Sequence, residues 1–450
     1  MKKLLSLVLA AALACTAFAL PAGAVGYDPS PVYTVQAECA YVVNTDTNVI
    51  LYEKNSEQPV YAGGLTKLMT AALILTNYQD ALDSTSITMP SAISDYVYGT
   101  TTADVRAGET VTLRQMLYGM LLPNGNDAAQ GTAYVLSGND LAGWVSQMNS
   151  LSQQIGTTGS TWTDACGLDE GNMTTARDMY LILRYLMGFD AFVEIEGSYQ
   201  YEMPANTKHA NSYWLTNTNK MLSQSQGGNY YRSAIQGGKT DASGAYPDSG
   251  ITTQSCVSWA TQNGETYIFS ILNSPYTCDD YGYSTLRPAL YETGKLVDWV
   301  YGNFAIQAAL DTTQPLCEIP VDYSTQTSSL KLYPASDLKT ILPAASDTTV
   351  TQKVYNLPDS VAAPVKQGDV VGTVTLVLAG ETIGTVDLLA GQDVSRSNIL
   401  YTLAQLQAFF SSLYFRVVLV LSLLSLAVYL VWFFWTMPRR RNSRKIRRSE

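Results

Sequence analysis

The length, charge and composition of the chain limit the functions that it can have. Its 450 residues are enough for two or three domains with complete hydrophobic cores. Acidic residues outnumber basic ones by 38 to 27, which disfavours nucleic acid as a partner. The only histidine, His209, is expected in a solvated loop, and no cysteines have CxxC spacing, so we predict no metal site and no cofactor. A single disulfide among the cysteines after residue 24 stays open.

Both ends of the chain predict export and anchoring in the cell membrane. Residues 1–24 combine two lysines, an apolar run and a small-residue cleavage site, which is the pattern of a secretory signal peptide. A lipoprotein signal at Cys15 is less favoured, because Ala12 occupies the usual leucine position. Residues 417–437 are apolar and long enough to span a bilayer, and seven basic residues follow in the tail 438–450. The positive-inside rule predicts a single-pass protein with this tail in the cytoplasm and the residues before Arg416 outside.

The part of the chain expected outside the cell is strongly acidic. Of the 27 basic and 38 acidic residues, 18 and 37 remain without the signal-peptide lysines, the tail cations and Glu450. We therefore expect this part to repel nucleic acid and anionic lipid.

The segment 40–73 predicts a β-hairpin followed by a buried helix. Apolar and polar residues alternate on both sides of a turn at residues 45–48, so the hairpin is expected to bury one face. A helix beginning near Gly64 follows, rich in Leu, Met, Thr and Ala. This order closely resembles the serine D-alanyl-D-alanine carboxypeptidases, the low-molecular-mass penicillin-binding proteins. Their helix opens with Ser-x-x-Lys, in which the lysine takes the serine proton during attack on the peptide carbonyl. Residues 64–67 read Gly-Leu-Thr-Lys, so Lys67 is retained and the nucleophile is absent.

A second family motif, Ser-x-Asn, corresponds to residues 124–126. In the family its serine and asparagine assist proton transfer and hold the substrate amide. Asn124 replaces the serine and removes a hydroxyl that could relay a proton, whereas Asn126 is retained. Helical spacing over 113–122 and 141–155 predicts helices on either side of this motif. The segment 156–187 also resembles the family, with Thr175 and Asp178 at capping-box spacing, and we interpret it as architecture rather than chemistry.

The third family motif, Lys-Thr-Gly, lies on a strand that lines the site. The resemblance implies that its lysine binds the substrate carboxylate and that its backbone helps to hold the acyl oxyanion. An ungapped alignment places Gln236, Gly237 and Gly238 there, so the cation is missing. A shifted register would use Lys239, would replace the glycine by Asp241 and would turn the lysine to the other face of the strand. We prefer the ungapped register.

The resemblance extends over most of the chain and implies its architecture. We expect an α/β (α+β) penicillin-binding, β-lactamase-like transpeptidase fold over 33–305 and a small all-β domain over 310–395. An amphipathic segment over 396–416 leads into the transmembrane helix at 417–437. Two further Ser-x-x-Lys strings, Ser328–Lys331 and Ser336–Lys339, lie in strand- or turn-like sequence without partner motifs and are interpreted as chance matches.

Three chemically necessary groups are missing from the three motifs. The leading hypothesis is therefore a membrane-anchored pseudoenzyme that binds a peptidoglycan stem peptide or a cell-wall synthesis protein. Its vestigial catalytic positions are Gly64, Lys67 and Asn126. Its vestigial substrate-binding positions are Asn124, Gln236, Gly237 and Gly238.

Two other functions stay open. The first is an active D-alanyl-D-alanine carboxypeptidase that trims the stem peptide with an unrecognised nucleophile. Thr66 points about 100° away from the lysine around the helix, and Thr70 lies one turn deeper, so neither is well placed. The second is a structural spacer near the wall that binds no small ligand. A retained cleft would favour binding, and a filled cleft would favour the spacer.

Overall fold

A computed structural model describes residues 34–242, 245–246, 251–276, 287–343, 351–378 and 381–436. The predicted signal peptide and basic tail lie outside these residues. The chain divides into two compact units. The first contains the described residues up to Ala309, with Lys339–Gln352 and Leu378–Ile383. The second contains Leu310–Leu338, Lys353–Val377 and the described residues from Gly384 onward.

The secondary structure mixes short strands with helices in the first unit and is mainly β in the second. The strands are β1 (Cys39–Asn44), β2 (Ile50–Lys54), β3 (Val60–Tyr61), β4 (Ser86–Thr88), β5 (Thr110–Thr112), β6 (Met173–Thr174), β7 (Gln200–Met203), β8 (Tyr213–Thr216), β9 (Ile235–Asp241), β10 (Ala245–Tyr246), β11 (Ile251–Gln262), β12 (Glu265–Pro275), β13 (Phe304–Leu310), β14 (Cys317–Asp322), β15 (Ser329–Pro334), β16 (Leu338–Pro343), β17 (Gln352–Asn356), β18 (Val361–Ala362), β19 (Val370–Leu378) and β20 (Glu381–Ala390). The helices are α1 (Thr66–Tyr78), α2 (Ser91–Tyr96), α3 (Leu113–Leu121), α4 (Asn126–Leu136), α5 (Leu141–Ile155), α6 (Ala176–Leu186), α7 (Asp190–Gly197), α8 (Gln224–Gly227), α9 (Pro288–Asn303), α10 (Asn398–Ser411) and α11 (Leu413–Thr436).

An antiparallel sheet separates two hydrophobic cores in the first unit. Its strand order is β10–β11–β12–β1–β2, and β9 also pairs with β11. Along β1, Tyr41 and Val43 pack in the core that contains α1, α3 and α6, whereas Val42 packs in the other core, with α9. All six residues of β1 are buried, so the prediction that the hairpin buries only one face is wrong for this strand. The strand lies inside the sheet between two layers of helices, and both its faces are therefore covered.

The predicted hairpin turn is stabilised by the side chain at the end of β1. The side-chain oxygen of Asn44 accepts hydrogen bonds from the backbone N–H groups of Asp46 and Thr47. Asn48 then adopts a positive φ of 57°, which asparagine tolerates better than most residues. After β3, a 3-10 turn at Gly63–Leu65 leads into α1, whose first ten residues are all buried. The predicted hairpin and buried helix are confirmed.

Side-chain caps fix the helices that surround the site. Thr112 and Gln115 form a reciprocal capping box at the start of α3. Helix α5 has the bounds that the apolar spacing predicts, 141–155. Thr175 caps α6 through the N–H of Asp178, but the Asp178 carboxylate does not complete the box. It accepts instead from the 158–160 segment, at two backbone N–H groups and one hydroxyl.

The second unit contains a six-stranded sheet and the C-terminal helices. The strand order is β17–β19–β20–β15–β14–β18. The two chance Ser-x-x-Lys strings fall on β15 and around the start of β16 rather than on a helix. Helix α10 exposes Ile399, Leu403 and Phe410, and α11 is 24 residues long with a mean hydropathy of 2.6. By length and composition α11 could span a bilayer, and it begins four residues before the predicted span.

Candidate active site

A polar cleft of about 420 Å³ lies in the first unit. The 3-10 turn before α1, the α3–α4 loop, the 99–101 segment, the 166–168 segment and the end of β9 form its walls. It is lined by Gly64, Lys67, Gly99, Thr100, Thr101, Asn124, Asn126, Cys166, Gly167, Leu168 and Asp241. The structure thus brings together the predicted site residues of the first two motifs.

The space beside Gly64 is occupied by two other side chains. A Cβ atom built on Gly64 would lie 2.5 Å from both Asn124 Nδ2 and Asp241 Oδ1, and 2.6 Å from Asn124 Oδ1. Real Cβ atoms essentially never approach another heavy atom closer than 3.0 Å. A serine at position 64 therefore cannot be accommodated unless Asn124 or Asp241 moves.

Asn124 and Asp241 are held against each other. Asn124 has a positive φ of 68°, and its amide Nδ2 donates to Asp241 Oδ1 at 3.2 Å. Among the described residues, its Oδ1 is buried without a hydrogen-bond partner. Gly64, Asn124 and Asp241 thus form one packed group, in which the glycine makes room for the other two.

Lys67 is fully buried on α1 at the base of the cleft. Its Nζ donates to the backbone carbonyl of Cys166 at 2.7 Å, so this oxygen takes the place of a serine hydroxyl as hydrogen-bond partner. Burial lowers the pKa of Lys67, and the negative charges of Asp241, Asp164 and Asp127 oppose that shift.

The 164–169 segment, interpreted above as architecture, also contributes to the cleft wall. The Asp164 carboxylate accepts from the backbone N–H groups of four successive residues, 166–169. Gly167 has a φ of 86°, and a Cβ there would overlap the carbonyl of Gly63, so only glycine fits beside the turn. The sequence interpretation missed that this arrangement places Cys166 in the cleft.

Asn126 is the first residue of α4 and is 6% exposed in the cleft. The next residue, Asp127, accepts hydrogen bonds from the N–H groups of Ala103 and Val105 at 2.7 and 2.9 Å. These bonds tie the segment that carries Thr101 to the start of α4. The second motif therefore keeps its supporting contacts although it has lost its serine.

The preferred register of the third motif is wrong. Gln236 is exposed, and its amide donates to the carbonyls of residues 233 and 234. A Cβ on Gly237 would overlap the Trp259 ring, and one on Gly238 would overlap residue 258 of β11. Gln236, Gly237 and Gly238 are therefore all outside the described lining of the cleft. Asp241, five residues beyond Gln236, lines it instead.

A β-bulge explains the error. Gly237 pairs with Trp259, but the next pair joins Ile235 to Ala260, so Gln236 is an extra residue in β9. An extra residue reverses the order of inward and outward positions along the strand, which an ungapped alignment does not reveal. Lys239 and Asp241 are two residues apart beyond the bulge, so they share a face of β9.

Lys239 is nevertheless not part of the described cleft lining. Its side chain is fully buried, and its Nζ donates to the carbonyl of Thr240 at 3.2 Å. Burial lowers the pKa of Lys239 and raises the pKa of the equally buried Glu196, and the attraction between the two opposes both shifts. The third motif thus retains a lysine, but its amine is buried near the Glu196 carboxylate and bonded to a backbone carbonyl instead of lining the cleft.

Comparisons with known proteins decide the family. The model of the family described as D-alanyl-D-alanine carboxypeptidase matches residues 26–274, and that of the penicillin-binding protein 5 C-terminal domain matches 314–396. The chain belongs to the D-alanyl-D-alanine carboxypeptidase family. The expected fold is confirmed as well: penicillin-binding protein 5 from Haemophilus influenzae has a TM-score of 0.58 at 23% identity, over 82% of this chain and all of that one. The Streptomyces K15 DD-transpeptidase has a TM-score of 0.51 at 26% identity, covering 60% and 98%.

Curated relatives in the carboxypeptidase family align over long stretches at low identity. The D-alanyl-D-alanine carboxypeptidase DacF of Bacillus subtilis is 23% identical over 81% of this chain and 87% of its own length. The D-alanyl-D-alanine carboxypeptidase of Streptomyces sp. strain K15 is 30% identical over 59% of this chain and 91% of its own.

No described hydroxyl or thiol near the cleft of this carboxypeptidase homologue is set up as a nucleophile. Thr66 is fully buried outside the described lining, and Thr70 donates its hydroxyl to the carbonyl of Ala165 at 2.6 Å. Cys166 lines the cleft, but burial raises the pKa of its thiol to about 12. The thiolate is the reactive form of cysteine, so this thiol is almost entirely unreactive at neutral pH.

His209 differs from its predicted solvated state. Its side chain is only 7% exposed, and Nε2 lies 2.8 Å from the carbonyl oxygen of Asp104 and 3.3 Å from Glu109 Oε2. Asn206 donates to the other oxygen of Glu109, so the histidine belongs to a buried hydrogen-bonded group. Across the described residues, no group of three or more histidine, cysteine or acidic side chains is arranged to hold a metal ion.

Proposed function

We propose that this carboxypeptidase homologue is a pseudoenzyme that binds peptidoglycan stem peptides in the cleft without cleaving them. The observation that carries the proposal is the packing of Asn124 and Asp241 into the space that a serine at position 64 would need. A neighbouring hydroxyl could compensate for loss of the serine alone, but here the vacated volume is filled by an amide and a carboxylate, which offer the Lys67 amine no hydroxyl to deprotonate.

The chemical consequence of this loss is large. In serine hydrolases, removal of the nucleophile leaves only about 10³–10⁴-fold acceleration over water. The described alternatives at this site are a carboxylate, amides, a thiol whose pKa is about 12, and the hydroxyls of Thr100 and Thr101, neither of which is hydrogen-bonded to the Lys67 amine. A stable amide would not be turned over at a useful rate by such groups.

An open cleft supports peptide binding over a purely structural spacer. Its volume of about 420 Å³ is in the range of small-ligand sites, and most of its lining is polar. The retained Asn126 offers both a donor and an acceptor to a peptide amide. Relatives named as D-alanyl-D-alanine carboxypeptidases support the stem peptide of peptidoglycan as the ligand class. A cell-wall synthesis protein is the remaining partner class.

We also propose that the protein is exported and held at the outer face of the cell membrane. The organisation would be a signal peptide at 1–24, the peptide-binding domain at 33–305, the small β-domain at 310–395, an amphipathic segment at 396–416, a transmembrane helix at 417–437 and a cytoplasmic tail at 438–450. The length and hydropathy of α11 support the span. The basic residues that follow it support the orientation.

Labelling with a fluorescent penicillin tests the inactivity. The full-length protein in detergent is incubated with the label, denatured and analysed by gel and intact mass, beside an active family member as positive control. We expect no adduct and no release of D-alanine from Nα,Nε-diacetyl-L-lysyl-D-alanyl-D-alanine. A stoichiometric adduct would show that the protein is an active acyl-transfer enzyme, and peptide mapping would then identify its nucleophile.

Binding is tested separately by ligand-observed NMR with the same peptide. Thr101 is exposed at the cleft wall and Thr102 is exposed beside it but outside the described lining, so Thr101→Trp and Thr102→Trp form a matched pair. We expect Thr101→Trp to abolish the binding signal and Thr102→Trp to retain it. Equal signals in both variants would place the peptide elsewhere, and no signal in the wild type would favour the spacer.

A further inference from the structure

A second pocket of the first unit lies toward the other end of helix α1 from the cleft. It has a volume of about 590 Å³, which is in the range of small-ligand sites, and it is formed by the ends of α1 and α5 and by one face of α6. Thr76, its lining residue on α1, comes nine residues after Lys67, which is about 13.5 Å along the helix axis. The two sites share no described lining residue, so a ligand in this pocket would be separate from one in the cleft.

The apolar surface of this pocket comes from α5 and α6. Leu151 and Ile155 lie four residues apart on α5 and therefore on one helix face. Leu181 and Tyr185 have the same spacing on α6. The Tyr185 hydroxyl lies 2.8 Å from Thr76 Oγ1, which itself donates to a backbone carbonyl one turn earlier. These two hydroxyls bind within the protein, so the remaining surface suits an apolar group of a ligand.

Arg184 is the cationic side chain among the described lining residues of this pocket. Its Nη1 donates to Asn48 Oδ1 at 2.6 Å and to the Tyr180 hydroxyl at 3.0 Å, and these two bonds orient the guanidinium. Its Nε and Nη2 have no acceptor among the described residues, and no described carboxylate lies within 4.0 Å of it, whereas Arg177 on the same helix is paired with Glu57. The edge formed by Nε and Nη2 can donate to both oxygens of a carboxylate, so this arginine is available to an anionic ligand.

The last polar group of the wall distinguishes a peptide from a simple fatty acid. Gln154 is exposed at the end of α5, and its side-chain amide has no hydrogen-bond partner among the described residues. A side-chain amide provides both a donor and an acceptor, which match the C=O and N–H of a peptide group. A fatty acid could use the arginine and the apolar surface, but it would leave this amide unused.

We propose that this pocket binds the C-terminal end of a peptide whose last residues are apolar. The terminal carboxylate would bind Arg184, the apolar side chains would pack on the leucine and isoleucine side chains of α5 and α6, and a backbone amide would pair with Gln154. This inference goes beyond the proposed function and does not depend on it, because no described residue of the cleft belongs to the pocket.

Four probes separate the contributions of the charge, the apolar groups and the backbone amide. They are N-acetyl-L-leucyl-L-leucine, its C-terminal carboxamide, N-acetyl-L-seryl-L-serine and hexanoate. Dissociation constants are measured by saturation-transfer NMR titration of the full-length protein in lipid nanodiscs, with empty nanodiscs as the blank. We expect the leucine acid to bind about tenfold or more tightly than each of the other three, as for a hydrogen bond to a charged group or a buried leucine side chain. Equal binding of the leucine acid and any other probe would overturn the inference.

Two variants with the same change in net charge test the role of the arginine. Arg184→Met removes the cation from the pocket, and Lys366→Met removes an exposed cation from the second unit, outside the described lining. We expect Arg184→Met to abolish the preference for the leucine acid over its carboxamide and Lys366→Met to preserve it. Retention of the preference in Arg184→Met would show that another group binds the carboxylate and would overturn the inference.

Three tryptophan variants locate the bound peptide. Gln154 lines the pocket and Gln153 is exposed beside it but outside the described lining, so Gln154→Trp and Gln153→Trp form a matched pair. Thr101→Trp obstructs the cleft instead. We expect only Gln154→Trp to abolish binding of the leucine acid. Loss of binding in Thr101→Trp, unchanged binding in Gln154→Trp, or no binding to the wild type would each overturn the inference and leave the proposed function of the cleft intact.

Discussion

Restoring the serine alone is predicted to destabilise the protein without restoring chemistry. In a Gly64→Ser variant, the new Cβ would have to gain about half an ångström from both Asn124 and Asp241 to reach the 3.0 Å limit. One of these side chains must then rotate and give up the hydrogen bond between them. Overpacking of this kind costs about 1–3 kcal/mol, and loss of a hydrogen bond to a charged group costs a similar amount.

A double-mutant cycle isolates this steric conflict. The four proteins are the wild type, Gly64→Ser, Asp241→Gly and the double variant, and the apparent melting temperature is followed by tryptophan fluorescence in detergent. Each kcal/mol corresponds to about 2–4 °C for a unit of this size, so Gly64→Ser should lower the melting temperature by several degrees. The same substitution in the Asp241→Gly background should cost less, with a coupling energy of about 1–2 kcal/mol.

Gly302→Ser provides the matched control, because a Cβ on Gly302 meets no atom within 4 Å. It lies near the end of α9, where serine is slightly better than glycine, so its melting temperature should equal or exceed that of the wild type. If Gly64→Ser were as stable as Gly302→Ser, or if its cost were unchanged without Asp241, the three cleft residues would not be a packed group. The steric argument for the proposed inactivity would then fail.

Three further predictions concern buried charges and the thiol. In Lys239→Met, the Glu196 carboxylate loses a nearby positive charge. The pKa of Glu196 in the folded protein lies above its ordinary value of 4.5 and is about 7 even with the lysine present. The variant should therefore keep its stability at low pH and lose it as the pH rises from about 4.5 past 7. Chemical unfolding should show a loss of about 3–5 kcal/mol at pH 8, smaller at pH 5 and largely relieved by a second change, Glu196→Gln. Cys166 should resist iodoacetamide in the native protein at pH 8 and react after unfolding, as judged by peptide mass, because burial raises its pKa to about 12. Rapid native modification would contradict that burial. Asp127→Ala should cost about 2–4 kcal/mol in the same unfolding assay, since it leaves the buried N–H groups of Ala103 and Val105 without their acceptor, and a change under 1 kcal/mol would show that water replaces it.

Local patterns in the sequence were sufficient for much of the fold. Apolar spacing gave the full extent of α5 and, to within one residue, that of α3. These features depend on residues within a few positions of each other. The burial of β1 on both faces was missed because it depends on which layers cover the sheet, and the helices that cover it come from distant parts of the chain.

The candidate site was predicted where it depends on short motifs and missed where it depends on strand register. Gly64, Lys67, Asn124 and Asn126 all line the cleft, as the resemblance of the first two motifs to the family implied. The register that contains Lys239 and Asp241 was not preferred, because in a regular strand it would turn the lysine to the face opposite the site. One bulged residue reverses that parity. The two successive glycines of β9 are compatible with a bulge, but they do not say which residue is the extra one.

The corrected register changes how the substitutions at the site should be understood. With an ungapped motif, the chain would have lost three groups that do not contact one another. With Asp241 in the cleft, the glycine at 64, the asparagine at 124 and the aspartate at 241 fit together, and reversing any one of them creates a clash or a gap. Because the three residues pack together, a change at one of them is expected to need compensating changes at the other two. Recovery of penicillin labelling should therefore require Gly64→Ser, Asn124→Ser and Asp241→Gly together, and labelling of the first variant alone would show that the fit is not needed.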